Sequence, residues 1–350
     1  MKNILNYLLF IILLTTSCKD DDAGANVGGP WSIPQNEVLD GGPGKDGIPA
    51  LVDPEMVFVG GSNLDYLNDD DLVIGIKRGD DIRAYAHPIL DWHEIINDQI
   101  GDDFVAITYC PLTGTAIGWD RHVNGELTTF GVSGLLYQSN LIPYDRSTDS
   151  NYSQMLTIGV NGDQIDNRPS THHLVETTWA TWKRWYPETK ITSSRTGHNR
   201  SYGFYPYGDY MNTESLIFPI SNPDGRLHAK ERVLGVVGQN ESVIAFQFDS
   251  FAENTVIDTE IDGERLIVIG SQNENWMLAF KPTEIDGQQP TYSISDLDDA
   301  LFADDFGNQY DGFGAIIEGP NVGMQLETYE SFIGFWFAWA TFYPQVQIFE

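Results

Sequence analysis

The residues with the clearest capacity for chemistry are Cys110 and His93, both in the first half of the chain. Cys110 ends an apolar run and precedes Pro111 and a turn rich in glycine and threonine, a position where folds commonly display reactive groups. A neighbouring imidazole lowers the pKa of a thiol and makes it a nucleophile, and the same pair suits a soft transition metal. We therefore predict a site at Cys110, with nucleophile and metal ligand as alternative roles and His93 as base or second ligand.

Polar residues further along the same half would complete this site. Arg121 and Arg146 are candidate clamps for an anionic group, Asp145 is a candidate carboxylate, and Asp120 and Tyr137 are expected in the same pocket. No Cys-x-x-Cys or His-x-x-x-His pair, phosphate loop, dinucleotide fingerprint or Gly-x-Ser-x-Gly elbow is present. The spacing leaves the reaction open, does not decide whether the protein is an enzyme, and suggests no cofactor beyond a transition metal.

The chain contains a repeat that would position these residues. Residues 179–187, WATWKRWYP, match residues 336–344, WFAWATFYP, at an offset of 157 (336 − 179). Upstream, Val73 and its neighbours match Val233 and its neighbours at offsets of 160 and 161. Rings spaced three apart share one face of a helix, and Tyr-Pro ends that helix. We predict a tandem duplication, with a first repeat over 46–195 and a second, degenerate repeat over 196–350.

The remaining segments predict a β-rich α+β fold. Short β-branched or alternating runs separated by Gly, Asn and Asp indicate strands at 73–76, 82–85, 104–109, 127–132, 243–248 and 265–269. Asn124-Gly125 and Asp262-Gly263 are strong signals for tight turns between strands. Residues 89–96 and the two tryptophan segments are predicted helices, so the architecture is two related β-rich halves.

The two predicted repeats differ in their reactive residues. The first contains Cys110 and His93, whereas the sequence alignment places Gln272 opposite Cys110 and no histidine opposite His93. Duplicated folds often keep one copy as scaffold, which predicts that any chemistry lies in the first half. A thiol needed only for packing would more naturally be exchanged for a small apolar residue than for glutamine.

Charge excludes one class of partner. The 350 residues include 51 acidic and only 19 basic ones, giving a formal net charge of −32. Binding to nucleic acid requires basic groups that neutralise phosphates, so we expect no nucleic-acid partner. Anionic lipid headgroups would be repelled in the same way, so membrane attachment would need a lipid anchor. A small molecule or a metal remains the predicted partner.

The N-terminus predicts such an anchor. Residues 1–17 have a lysine followed by a short apolar core, which suits a cleaved signal peptide, and LTTS before Cys18 resembles a lipobox. Lipidation of Cys18 would place the protein in the envelope of a Gram-negative bacterium, at the outer membrane. Residues 18–45 form an acidic, Gly-rich tether, and the acidic run at 20–22 is either a surface-export signal or a solvated linker.

Several long motifs are spread along the chain. They are IPAL at 48–51, WHEIIND at 92–98, TYCPL at 108–112, FGVSGLLY at 130–137, YDRSTDS at 144–150 and FWFAWA at 335–340. Together they resemble one bacterial family, domain of unknown function 3179. The resemblance implies an exported or anchored protein with a site near Cys-Pro-Leu. Members commonly have Cys-Pro-Leu-Cys, whereas this chain has Thr113 at the fourth position, so a dithiol or two-thiolate metal site is not implied.

Three functions follow from these observations. The first is an envelope lipoprotein that binds a metal or small molecule near the Cys-Pro-Leu motif. The second is a thiol-dependent enzyme with Cys110 as nucleophile and His93 as base. The third is a purely structural surface protein in which the shared motifs serve packing.

Overall fold

The computed structural model describes residues 28–297 and 299–350, so the predicted signal peptide and Cys18 lie outside the described residues. The described chain is β-rich with a few short helices, in agreement with the predicted α+β class. None of its helices has the length and apolar character needed to cross a lipid bilayer.

The first half carries 17 strands. They are β1 (Val38–Asp40), β2 (Leu51–Val52), β3 (Met56–Phe58), β4 (Leu72–Arg78), β5 (Asp81–Ala86), β6 (Ile95–Ile100), β7 (Asp103–Cys110), β8 (Thr115–Asp120), β9 (His122–Val123), β10 (Glu126–Leu127), β11 (Phe130–Tyr137), β12 (Asn140–Asp145), β13 (Asn151–Ser153), β14 (Ile158–Asn161), β15 (Thr171–His172), β16 (Val175–Thr178) and β17 (Lys190–Thr192).

The second half carries a shorter series of strands, and three α-helices are distributed over both halves. The strands are β18 (Arg232–Val237), β19 (Val243–Gln247), β20 (Thr255–Ile261), β21 (Glu264–Ser271), β22 (Trp276–Lys281), β23 (Tyr292–Ile294), β24 (Phe302–Asp304), β25 (Gln309–Tyr310), β26 (Ile316–Glu318), β27 (Glu327–Thr328), β28 (Glu330–Phe335) and β29 (Gln347–Ile348). The helices are α1 (His87–His93), α2 (Trp179–Trp185) and α3 (Trp336–Phe342), and 3-10 turns occur at Gln35–Glu37, Tyr210–Asn212 and Phe248–Phe251.

Three sheets in the first half have counterparts of the same strand order in the second. The order β16-β4-β5-β17 corresponds to β28-β18-β19-β29, with two antiparallel pairings followed by a parallel one in each case. The order β15-β8-β7-β6 corresponds to β27-β22-β21-β20. A four-stranded meander, β11 to β14, corresponds to β23 to β26.

The pairing registers of these sheets agree residue by residue. Ile74 pairs with Glu176 in the first half, and Leu234 pairs with Ile333 in the second. Tight helix packing is matched too: a Cβ on Gly75 would lie 2.1 Å from the ring of Trp182, and one on Gly235 would lie 2.3 Å from the ring of Trp339. Each helix therefore lies directly against a glycine of its own sheet, because any larger residue there would occupy the space of the indole.

The hydrophobic cores run across both halves. One buried cluster joins residues of β4 and β5 to residues of β21 and β22, and another joins Cys110 and Ile117 to Trp336 and Trp339. The buried indoles of α2 and α3 thus serve packing. The two halves form their cores together.

Most predicted strands are present, and two local predictions are wrong. The predicted helix at 89–96 ends at His93, because Glu94 takes φ 57° and strand β6 begins at Ile95. The predicted strand at 127–132 is interrupted between Leu127 and Phe130. The turn predictions are confirmed: Asn124 with Gly125, and Asp262 with Gly263, all have positive φ.

Candidate functional site

Cys110 is buried at the end of β7. Its side chain is 1% exposed, and its sulfur lies 3.8 Å from the carbonyl oxygen of Ser139. Burial and the neighbouring Glu94 carboxylate raise the pKa of the Cys110 thiol to about 11. A thiol in this state is overwhelmingly protonated at neutral pH, which is unfavourable for nucleophilic attack or metal ligation.

His93 is also buried, and both of its ring nitrogens are occupied. Nδ1 donates to the carbonyl oxygen of Pro49 at 2.7 Å, and Nε2 accepts from the hydroxyl of Tyr202 at 2.8 Å. Burial lowers the pKa of His93 to about 4, so the ring is neutral at pH 7. This geometry gives His93 a structural function, because it ties α1 to two distant segments and leaves no lone pair for a proton from Cys110.

The predicted supporting residues bind elsewhere. Arg121 donates to the carbonyl oxygens of Thr128 and Asp98 at 2.9 and 3.1 Å. Arg146 donates to Asp46 at 2.7 Å. No hydrogen bond in the described chain joins these arginines to Cys110 or His93.

Asp145 is fully buried and holds the loop that follows β12. Its Oδ1 accepts from the backbone amides of Ser147 and Thr148 at 3.0 and 2.7 Å, and its Oδ2 accepts from the hydroxyl of Tyr152 at 3.3 Å. Asp304 accepts in the same way from Tyr310, at 2.6 Å. The common arrangement indicates that Asp145 stabilises a loop.

The hairpin registers correct the sequence alignment opposite Cys110. Cys110 pairs with Thr115 across a four-residue turn, and Ser271 pairs with Trp276 across a turn of the same length. The residue that corresponds to Cys110 is therefore Ser271, which is also buried, and not Gln272. A small buried residue therefore occupies both positions. The comparison of the two halves no longer favours a functional role of Cys110 over a role in packing.

A different pair of side chains next to Cys110 has the features of a binding site. Asp91 lies in the last turn of α1 and Glu94 directly follows the helix, and the charge of Glu94 contributes to the raised pKa of Asp91. Burial, reinforced by Asp71 and Glu94, raises the pKa of Asp91 to about 8, and burial raises the pKa of Glu94 to about 7. Two carboxyl groups are thus held where their charged forms are poorly solvated.

Neither carboxyl group has the hydrogen bonds that would compensate for burial. Oδ1 of Asp91 is buried and has no partner among the described residues. Glu94 accepts one bond, from the hydroxyl of Tyr207 at 3.2 Å, and its backbone takes φ 57° and ψ −31°, outside the usual regions for a glutamate. Unpaired buried groups and backbone strain are costly, and both are concentrated at functional sites.

Residues 196–230, which we call the covering segment, bring aromatic rings to this pair. Tyr207 binds Glu94, and Tyr205 donates to the carbonyl oxygen of Pro111 at 3.4 Å. Tyr210 donates to the carbonyl oxygen of Leu112 at 2.8 Å. The segment therefore lies over the Cys-Pro-Leu turn, with half-buried tyrosines beside the carboxyl groups.

Sequence reasoning missed Asp91, Glu94 and the covering segment. The acidic residues lie on either side of Trp92-His93, where the histidine is the residue type that suggested chemistry. A spacing of three on a short helix was the available signal for a shared face. Nothing local indicated Tyr207, which follows Glu94 by 113 positions.

Metal ligands do not converge in the described part of the chain. Across residues 28–297 and 299–350, no group of three or more His, Cys, Asp or Glu side chains is arranged to hold a metal ion. The Cys110–His93 pair therefore gains no third ligand from the structure, and the metal hypothesis remains a prediction without a geometric argument in its favour.

Two cavities are lined by residues other than those of the Cys-Pro-Leu turn. The first has a volume of about 130 Å³ and lies between the halves, with His172, His173 and Glu176 in its wall. The second has a volume of about 580 Å³ and contains Lys77 and Arg78. Neither is lined by Cys110 or His93, so a pocket at Cys110 stays a prediction.

The state of Cys110 gives a direct prediction. In protein carrying Cys18→Ala, a disulfide reagent at pH 8 should modify Cys110 at least about 100-fold more slowly in the folded state than in denaturant, because the thiol is buried and mostly protonated. Absorbance of the released thiolate measures the rate. Rapid stoichiometric reaction of the folded protein would instead indicate an accessible thiolate.

Comparison with known proteins gives one match. A family model described as "Protein of unknown function (DUF3179)" matches residues 45–346, which is most of the chain. No curated protein and no solved structure matches it.

Proposed function

The chain belongs to the DUF3179 family, whose function is unknown, and on that premise we propose that it is an envelope lipoprotein that binds a small organic cation beside the Cys-Pro-Leu turn. The ligand would bind to the carboxylates of Asp91 and Glu94. The observation that carries this proposal is the buried Oδ1 of Asp91, which has no partner among the described residues.

A cation is the ligand that best suits the buried carboxyl groups of Asp91 and Glu94, because it stabilises their charged forms. The raised pKa values keep Asp91 mostly protonated and Glu94 partly protonated at neutral pH, and a bound cation would favour ionisation of the pair by offsetting one negative charge. Half-buried Tyr205 and Tyr207 offer ring faces, which attract ammonium groups. Arg200, in the covering segment, already lies over the ring of Trp92, 5.8 Å from its centroid.

The proposal favours binding over thiol chemistry. A buried thiol with a pKa of about 11 and a histidine without a free lone pair do not form a nucleophile and base. Glu94 acts on Cys110 as a nearby negative charge, which further disfavours the thiolate. The Cys-Pro-Leu turn would then shape the site through its backbone carbonyls, which accept from the tyrosines of the covering segment.

Asp91→Asn tests the proposal. Binding of tetramethylammonium, measured by calorimetry, should strengthen about tenfold or more between pH 6 and pH 9 in the wild type as Asp91 and Glu94 ionise, and should weaken about tenfold or more in the variant.

The same variant should become more stable at high pH. A carboxyl group with a raised folded-state pKa favours folding at low pH, and this contribution is lost as pH rises from about 4 through 8. Asp91→Asn should therefore unfold like the wild type near pH 4 and gain on the order of 1–3 kcal/mol at pH 9.

Asp102→Asn, at an exposed turn, is the matched control and should change neither property. Destabilisation by Asp91→Asn at every pH, with unchanged cation binding, would show that Asp91 is structural.

Anchoring through Cys18 is the second part of the proposal. Cys18→Ala should release the protein from membranes into the soluble fraction while its thermal unfolding stays unchanged, because the first strand among the described residues, β1, begins at Val38. Fractionation and immunoblotting measure the distribution, with Cys110→Ser as the control that keeps its anchor. Continued membrane association of Cys18→Ala would contradict lipidation, and surface exposure at the outer membrane can be checked on the same cells by protease accessibility.

We also propose that the two halves arose by tandem duplication. The proposal is supported by the equal strand orders and by the shared glycine–tryptophan packing of α2 and α3. Under this proposal Asp91 lies in a helix whose counterpart is the shorter 3-10 turn Phe248–Phe251, so the carboxylate pair is a property of the first half.

A further inference from the structure

The segments that precede β4 and β18 correspond in position but not in structure. Leu72 begins β4 and Arg232 begins β18, so residues 36–70 correspond to the covering segment, 196–230, at an offset of 160 (232 − 72). Residues 36–70 provide β1, β2 and β3, and each of these extends a sheet of the first half as a fifth strand. The covering segment forms no strand and lies over the Cys-Pro-Leu turn instead.

Three sheet edges of the second half are open as a result. In the first half β1 extends β11, β2 extends β6 and β3 extends β17, whereas the corresponding strands β23, β20 and β29 have no such neighbour within residues 28–297 and 299–350. The longest of the three is β20, with seven residues, Thr255–Ile261. An unpaired edge can accept another extended chain into the sheet. The open edge of β20 is therefore a candidate interaction surface.

The position of β2 shows which groups of β20 face this edge. The closing pairs of the two hairpins set an offset of 161 between β6 and β20 (261 − 100), so Asn97 corresponds to Asp258. The carbonyl oxygen of Asn97 accepts from the amide of Asp53, directly after β2, at 2.9 Å. Because antiparallel pairing alternates along a strand, Val256, Asp258 and Glu260 turn their backbone groups to the open edge. In the described chain these groups form no backbone hydrogen bond beyond the sheet.

The surroundings of the open edge are acidic. Residues 253–264 include five acidic residues and no basic one. Arg265 pairs with Asp258, whereas Glu260 is exposed and has no ion-pair partner among the described residues. Two copies joined at this edge would bring their carboxylates together, so charge repulsion disfavours a second copy of the chain. The same charges favour an extended segment that carries lysine or arginine.

Apolar groups at this edge would also gain from an added strand. Val256 and Ile257 are half-buried and pack against two different hydrophobic cores. On the corresponding edge of the first half, Leu51 of β2 is 4% exposed and belongs to a core cluster. A strand added to β20 would bury apolar surface in the same way, in addition to its hydrogen bonds.

We propose that the open edge of β20 binds an extended segment of a partner protein, which adds as a fifth strand where β2 adds in the first half. The segment would alternate apolar and basic side chains. Its backbone would bind the outward groups of Val256, Asp258 and Glu260, and a basic side chain would lie near Glu260. This surface is separate from Asp91 and Glu94, and the proposal does not depend on the function proposed for them.

A seven-residue peptide of alternating lysine and valine, capped at both ends, is the probe. It should bind saturably to protein carrying Cys18→Ala, with a Kd below about 1 mM by calorimetry. A peptide with the same side chains and a methyl group on every backbone nitrogen should bind about tenfold or more weakly. The methylated peptide keeps the charge but has no backbone donors, so it separates strand addition from electrostatic attraction alone.

Amide hydrogen exchange, followed by NMR, locates the added strand. The amides of Val256, Asp258 and Glu260 should exchange rapidly in the free protein and about tenfold or more slowly when the peptide is bound. The amides of Ile257 and Thr259 face β21, so they should be protected in both states.

Two variants of one residue test the edge itself. Glu260→Pro removes an outward N–H without removing a bond to β21, and it should weaken peptide binding about tenfold or more. Glu260→Lys keeps the amide and reverses the charge, so it should weaken binding by a similar factor and provides the test if the proline variant is unstable. Asp102→Lys, at an exposed turn of the first half, is the matched control and should leave binding unchanged.

Four results would overturn the proposal. They are the absence of saturable binding up to about 1 mM, equal binding of the methylated peptide, unchanged exchange of the three outward amides, and a dimer in sedimentation that Glu260→Pro abolishes. The last result would mean that the edge binds a second copy of the chain. Tetramethylammonium binding at Asp91 should be unchanged in Glu260→Lys, so failure of one site is distinguishable from failure of the other.

Discussion

Gly75→Ala and Gly235→Ala are both expected to destabilise the protein severely, by about 3 kcal/mol or more each. The new methyl group would meet the ring of Trp182 at 2.1 Å in the first case and the ring of Trp339 at 2.3 Å in the second. Both indoles are fully buried, so neither ring can move aside without displacing its helix. Chemical denaturation followed by tryptophan fluorescence measures the free energy of unfolding.

A matched control is available on the surface. Gly225 has open space around its Cβ position and no positive φ, so Gly225→Ala should change the free energy of unfolding by less than about 1 kcal/mol. Similar losses for the two sheet glycines would reflect the equivalent packing of α2 and α3. A loss confined to one of them would show that the two helices contribute unequally.

Removing Arg232 should produce the second large effect. Arg232 forms an ion pair with Glu176 and donates to Oδ1 of Asn275 at 2.6 Å. Glu176 is 7% exposed, so Arg232→Leu would leave a buried carboxylate without its partner, at a cost of about 3–5 kcal/mol. Leucine is chosen because Leu72 occupies the position in β4 that corresponds to Arg232 in β18.

The loss should depend on pH in a defined direction. Burial already raises the pKa of Glu176 although Arg232 is present, and removal of the guanidinium should raise it further. A raised folded-state pKa favours folding at low pH and ceases to do so as pH rises through it, so Arg232→Leu should be less destabilised at pH 5 than at pH 8.

The double variant Glu176→Ile/Arg232→Leu should recover most of the lost stability, because it removes the unpaired charge and introduces the apolar residues found at the corresponding positions, Ile333 and Leu72. Arg168→Met, which breaks an exposed ion pair with Glu241, should cost less than about 1 kcal/mol. A failure of the double variant to recover stability would mean that Arg232 contributes through packing or through Asn275.

The two large effects arise in different places. The glycine effects act within each half, because Trp182 and Trp339 each pack on a glycine of their own sheet. The Arg232 effect acts between the halves, because Glu176 belongs to the first half and Arg232 begins β18 in the second.

The sequence by itself determined several of the strands, the tight turns and the two tryptophan-containing helices. Asn124-Gly125 and Asp262-Gly263 specify positive φ through local chemistry alone, and the alternating runs specify strands because every second side chain faces a core. The long motifs of the family could also be recognised from the sequence. The end of α1 could not be predicted, because a glutamate at position 94 does not indicate φ 57°, and that conformation is imposed by the surrounding structure.

Only the tertiary structure decided which polar groups meet. Cys110 and His93 were the reactive residue types. Burial keeps the thiol of Cys110 protonated, and hydrogen bonds with two distant residues occupy both ring nitrogens of His93. Asp91 and Glu94 gained their raised pKa values from burial, which is reinforced at Asp91 by Asp71. Reactivity depends on solvation and on neighbours from remote parts of the chain, and neither is encoded within the few residues that a motif spans.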